Sequence, residues 1–138
     1  MTIPVLEEFR RGVSPDSVWK IIFPGGYTQT GYPRFWGRRV LMVAGENGVV
    51  IAPPPLYGDQ QEAPVVYKKL NGREVRPSDI HVGNDARITD MHGYKFAGIV
   101  TANSDDALQL ATGFLTKNQH GYPTAHPHSA IAKYEILE

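Results

Sequence analysis

Lys95-Phe-Ala-Gly-Ile-Val-Thr-Ala-Asn-Ser-Asp-Asp-Ala-Leu-Gln-Leu-Ala-Thr-Gly-Phe-Leu-Thr-Lys117 is the stretch on which the fold class turns. Its first part, Lys95 to Ala102, reads as a buried strand. Ser104 then has the character of a helix N-cap, its hydroxyl placed to accept from the N–H groups of a first turn. Asp105 and Asp106 would sit at the positive end of that helix dipole. Leu108, Ala111 and Leu115 recur at helical spacing beside Ala107, Leu110 and Phe114, which predicts an amphipathic helix over about 105 to 117. Ala130 to Leu137 alternates as a closing strand, so the C-terminal third reads as β-α-β, right-handed if its strands are parallel.

Working outward, the central region reads as hairpins. Val65 to Leu70 and Arg73 to Arg76 flank Asn71-Gly72, a two-residue turn signal. Arg38 to Ala44 and Val49 to Ala52 flank Gly45-Glu-Asn-Gly48, and Pro53-Pro-Pro55 ends that pair. Val18 to Phe23 has the β-branched and aromatic content of a strand, while Ile80 to Val82 and Arg87 to Thr89 are shorter candidates. Thr2 caps an expected short helix over about 3 to 11, with Pro4 in its first turn and Gly12 as its stop. The expectation is one α+β domain over 1 to 138: a mostly antiparallel sheet from the central hairpins, one main helix in the C-terminal β-α-β unit, and a short N-terminal helix. Three long connections, 24 to 37, 53 to 63 and 118 to 129, are the expected loops.

Composition limits the function classes. The 138-residue chain has a formal net charge of zero, with 14 Lys and Arg against 14 Asp and Glu. Such balance disfavours a polymeric nucleic acid partner, which selects an overall basic excess or a basic stripe. The absence of cysteine excludes disulfides and thiolate chemistry. The N-terminus lacks the pattern of a signal peptide and no apolar run reaches membrane-spanning length, so the expectation is a cytoplasmic protein with no membrane partner. The turn Ala102-Asn-Ser-Asp-Asp106 has no Gly-rich phosphate loop, and its aspartates would repel an anion from that position.

Two segments carry chemical interest. Between Asp16 and Glu46 there is no acidic residue, yet six aromatics and four cations fall there. Planar rings stack on flat ligands and Arg forks pair with phosphate, so Tyr27, Tyr32, Arg34, Trp36, Arg38 and Arg39 are candidate contacts for a small anionic or nucleotide-like ligand. The plainer reading puts Trp19, Phe23, Phe35 and Trp36 in the core and leaves the arginines solvated. The second segment, His120-Gly-Tyr-Pro-Thr-Ala-His126-Pro-His128, holds three of the five histidines. In an extended strand His126 and His128 would share a face, and with His120, Asp79, His81, Asp90 or His92 could hold a metal. Their spacing matches no established signature, so a Gly/Pro-rich loop is favoured, with His126 and His128 as possible hydrogen-bonding partners of a ligand.

No serine lies in a nucleophile elbow, and Asp105-Asp106 is explained by the helix dipole. The sequence therefore reads as a non-catalytic binding protein for a small anionic or nucleotide-like ligand, homo-oligomeric, with no cofactor. A metal-dependent hydrolase built on the His-rich loop and an interaction or structural subunit are the alternatives.

Overall fold

The computed structural model describes residues 11–22, 28–36, 39–46, 66–112, 114–116, 119–120 and 123–138. Its decisive feature is the turn at Ser104. The hydroxyl does accept from the N–H groups two and three residues on, Asp106 (3.3 Å) and Ala107 (3.2 Å), as a helix cap would. But the Ser104 N–H bonds back to the Ala107 carbonyl at 3.0 Å, which closes a two-residue hairpin loop at Asp105-Asp106. The chain returns antiparallel, and the expected helix is the strand Ala107–Ala111 followed by the short strand Phe114–Thr116. Between Val13 and Glu138 no described residue is α-helical.

The fold is therefore built of strands, and the α+β, β-α-β expectation is corrected. In chain order the strands are β1 (Val18–Ile22), β2 (Thr28–Trp36), β3 (Arg39–Val43), β4 (Val66–Leu70), β5 (Gly72–Val75), β6 (Asp85–Asp90), β7 (Lys95–Asn103), β8 (Ala107–Ala111), β9 (Phe114–Thr116), β10 (Gln119–His120), β11 (Thr124–Pro127) and β12 (Ile131–Leu137). One sheet has the order β3-β2-β1-β4 and a second β11-β8-β7-β6-β12-β5, with β9 and β10 paired separately. Every pairing is antiparallel. Short 3-10 turns at Pro77–Asp79 and His128–Ala130 lead towards β6 and into β12.

Several expectations change with this topology. β4 and β5 occupy the segments foreseen as a hairpin around Asn71-Gly72, yet they do not pair with each other: β4 pairs with β1 and β5 with β12. Asn71 is a corner at which the chain leaves one sheet and enters the other. The connection expected over 24 to 37 is largely the nine-residue strand β2, and that over 118 to 129 contains β10, β11 and a 3-10 turn. Ile80 to Val82 is not a strand. The helix over 3 to 11 falls outside the described residues but for Arg11, as do the second arm of the Gly45–Gly48 hairpin and the 53 to 63 connection. No described helix is long and apolar enough to cross a membrane.

Alternation along the strands explains the layers. On β6, Ala86 and Ile88 are fully buried in a cluster with Ile80, Val100, Leu108, Leu110, Ile131 and Tyr134. The intervening Asp85 and Arg87 face the first sheet, where Lys20 and Thr30 meet Asp85. A second cluster, Val18, Tyr32, Val43, Leu70, Ala97 and Leu137, draws on both sheets. Backbone bonds stitch the sheets along β7: Ala97 N–H donates to Ala44 at 2.9 Å, and Glu46 N–H to Lys95 at 3.0 Å. At its other end β8 carries on to Thr112, whose carbonyl accepts from Thr30 of β2.

That last crossing requires Gly98. A Cβ there would lie 2.5 Å from the Ala111 carbonyl oxygen and 3.0 Å from its carbon, closer than packed atoms approach. The obstacle is backbone that is itself held in the β7–β8 ladder. Gly98→Ala is accordingly expected to lower stability by about 1 to 3 kcal/mol, the usual result of forcing an atom into a full space. Urea unfolding of the two proteins measures it, and equal midpoints would show that β8 does not cross as described.

Candidate functional site

His128 lies at the centre of the best-connected polar group in the described structure. Asn103, at the end of β7, donates its side-chain Nδ2 to the carbonyls of Pro77 (3.1 Å) and Ile80 (3.0 Å). Those two bonds fix the amide, so its Oδ1 is the atom facing His128 Nε2 at 3.1 Å. The Ser104 carbonyl also faces Nε2, at 2.9 Å. With two acceptors before it, Nε2 carries the ring proton. Nδ1 of the neutral imidazole then accepts from the Tyr134 hydroxyl, 2.6 Å away. Burial raises the Tyr134 phenol above its ordinary value, which keeps it protonated and donating. The backbone N–H of His128 is tied as well, to Asp106 at 3.0 Å.

Beside this network opens a cleft of about 350 Å³, lined by Pro77, Ser78, Asn103, Ser104, Asp105 and His128. Two donors on its wall, the Asn103 amide and the His128 Nε2–H, are used internally. An imidazole with both nitrogens engaged has no free position from which to take or give a proton.

His126 sits two residues earlier, on β11, and is half-buried. Its ring tilts against Phe96 with centroids 5.0 Å apart. Burial lowers its pKa below the ordinary 6.5, against the smaller opposing effect of Asp90. Among the described residues no group of three or more His, Asp or Glu side chains could hold a metal.

Of the aromatic and basic candidates, two have described side chains, Tyr32 and Arg34, and neither is open to a ligand. Tyr32 is fully buried between the sheets. Its hydroxyl faces the Arg87 guanidinium, and desolvation pushes its pKa up to about 12. Arg34 is a staple rather than an open fork: its Nη1 donates to Pro33 O at 2.8 Å, and its Nη2 to Pro15 O and Glu46 O. Tyr27 and Arg38 are outside the described residues. Trp36 and Arg39 are described in backbone only, and the register pairs them across the β2–β3 connection with Gly37 and Arg38 between.

Sequence reasoning missed Asn103 and Tyr134. Neither has a local signal: Tyr134 is six residues beyond His128 and Asn103 twenty-five before it, and only the β7–β12 topology joins them. Compared with family models, with curated proteins and with solved structures, the chain matches none of them.

Two outcomes follow from this geometry. Tyr134→Phe removes the donor to Nδ1 and should cost about 1 kcal/mol, the ordinary net value of one hydrogen bond, read from thermal unfolding. His126, with a folded-state pKa below its unfolded value, stabilises the fold fully above pH 6.5 and loses that contribution as pH falls below 6.5 toward the folded value. Melting temperature should therefore rise from mildly acidic to neutral pH, and His126→Leu should flatten that rise; an unchanged slope would remove His126 as its source.

Proposed function

We propose that this chain is a non-catalytic binding protein that takes a small anionic or nucleotide-like ligand at the outer end of the β2–β3 hairpin. The observation that supports it most is the register pairing of Trp36 with Arg39 across only Gly37 and Arg38. One ring and two guanidinium-bearing residues then belong to a single turn, the combination that stacks on a flat ring and pairs with phosphate. Arg34, two residues back, ties β2 to Pro15 and Glu46. Tyr32 takes no part, being core.

The non-catalytic part of the reading rests on His128, whose two nitrogens are occupied by Asn103, Ser104 and Tyr134. A metal-dependent hydrolase would need that imidazole free. The cleft beside it has an Asp105 carboxylate on its wall, which suits an anion poorly. Self-association and a cytoplasmic setting belong to the same proposal.

Titration calorimetry with inorganic phosphate and with adenosine monophosphate tests it. Arg38→Ala and Arg39→Ala should each weaken the nucleotide by about ten- to a hundredfold, the equivalent of a lost charge-assisted pair of about 1.5 to 3 kcal/mol, with melting temperature unchanged. Native mass spectrometry of the same samples reports subunit number. Equal affinity in wild type and both variants, or no binding by any, would sink the hairpin site.

A further inference from the structure

Asn71 and Gly72 form the corner between β4 and β5, and their backbone hydrogen bonding has a consequence for their chemistry. Asn71 N–H donates to the Glu138 carbonyl at 2.7 Å, and Glu138 N–H to the Asn71 carbonyl at 2.9 Å. That mutual exchange makes Asn71 and Glu138 a hydrogen-bonded pair of an antiparallel ladder. The adjacent pair, Gly72 with Leu137, is then of the non-bonded kind, with its N–H directed away from β12. Among the described residues β5 is the last strand of its sheet, so that N–H meets no further described strand. Asn71 itself is exposed, and its side-chain amide makes no hydrogen bond.

Residue 72 is glycine for an unrelated reason. A Cβ there would lie 2.2 Å from Glu135 Oε2 and 2.8 Å from Arg87 Nη2, inside the ion pair those residues make. Packing thus keeps beside an exposed asparagine the one residue whose backbone nitrogen no side chain shields.

We propose that Asn71 is a site of spontaneous deamidation and isoaspartate formation in the folded protein. The Gly72 backbone nitrogen attacks the Asn71 side-chain carbonyl carbon; a C–N bond forms, the bond from that carbon to Nδ2 breaks, the nitrogen's proton is lost and ammonia leaves. Water then opens the five-membered imide at either carbonyl, giving aspartate or isoaspartate at 71. The second product routes the backbone through the side chain, lengthening it by one carbon at the point where the chain changes sheets. It also adds a negative charge beside Glu138.

The test is incubation of the intact protein in mildly alkaline buffer, with a synthetic peptide of residues 66 to 76 alongside. Peptide mapping follows the gain of about one dalton at Asn71, and isoaspartyl methyltransferase labelling identifies the rearranged product. Mapping separates this site from the second Asn-Gly pair, Asn47-Gly48. Conversion of Asn71 in the folded protein within about tenfold of the peptide rate is expected, because the ring closes after only a local opening of the corner. Asn71→Ser should abolish the label mapped to this corner while leaving the melting temperature unchanged. A folded-state rate slower than the peptide by more than that tenfold would overturn the proposal, and the wild-type map reads it even if the variant folds poorly.

Discussion

The pair Arg87–Glu135 is the constraint around which the two sheets are arranged. Two parallel bonds join the guanidinium to the carboxylate, Nε to Oε1 at 2.9 Å and Nη2 to Oε2 at 3.0 Å, across the β6–β12 ladder. Glu135 is 7% exposed, so the carboxylate has lost most of its water and depends on that fork for its charge. The bond holds Glu135 below its ordinary range and Arg87 above its own. Around it the neighbours are fitted: Gly72 leaves room for the pair, Tyr32 closes over it from the first sheet, and two residues away Asp85 accepts from Thr30 at 2.8 Å and pairs with Lys20 at 3.0 Å. β6 is thereby a divider, apolar at Ala86 and Ile88 on one face and charged at Asp85 and Arg87 on the other. Removing one member of the ion pair would strand the other, whereas the apolar cluster would lose nothing directly.

Strand positions were largely legible in the residues, and strand partners were not. Val18 to Ile22, Arg87 to Thr89, Lys95 to Asn103 and Ile131 to Leu137 fall where β-branched content and alternation put them. The segment after Ser104 misled because its signals are shared by two structures. A serine hydroxyl accepting from N–H groups two and three residues on occurs in a helix cap and in a tight turn alike. Ala107-Leu-Gln-Leu-Ala111 is composed of good helix formers and also alternates, with Leu108 and Leu110 buried and Gln109 between them. Pairing with β7 on one side and β11 on the other decides the matter, and no local window contains it. Asn71-Gly72 illustrates the converse, a sound turn signal used for a corner between sheets.

The candidate residues separate for similar reasons. On β2, Tyr32 is buried in the core and Arg34, two residues on, ties into neighbouring backbone. His126 lies on β11 and His128 in the 3-10 turn that follows it. Their partners, Phe96 for one and Asn103 with Tyr134 for the other, come from strands far away in sequence. Each ring is held by what the topology brings to it, and the local His-Pro-His spacing contains no trace of that.

The place of β12 sets the order in which this architecture can be assembled. It follows every other strand in the sequence, yet it lies between β5 and β6 and hydrogen-bonds to both. The meander β6-β7-β8 can form from near neighbours through short connections. Whereas the first sheet also reaches the second through β7, β5 has no ladder to join in the second sheet until β12 is in position. Glu135 arrives with that strand, so Arg87 waits for its counter-charge until the same moment. Loop closure over more than fifty residues precedes the contacts that reward it, the circumstance in which folding is slow and cooperative.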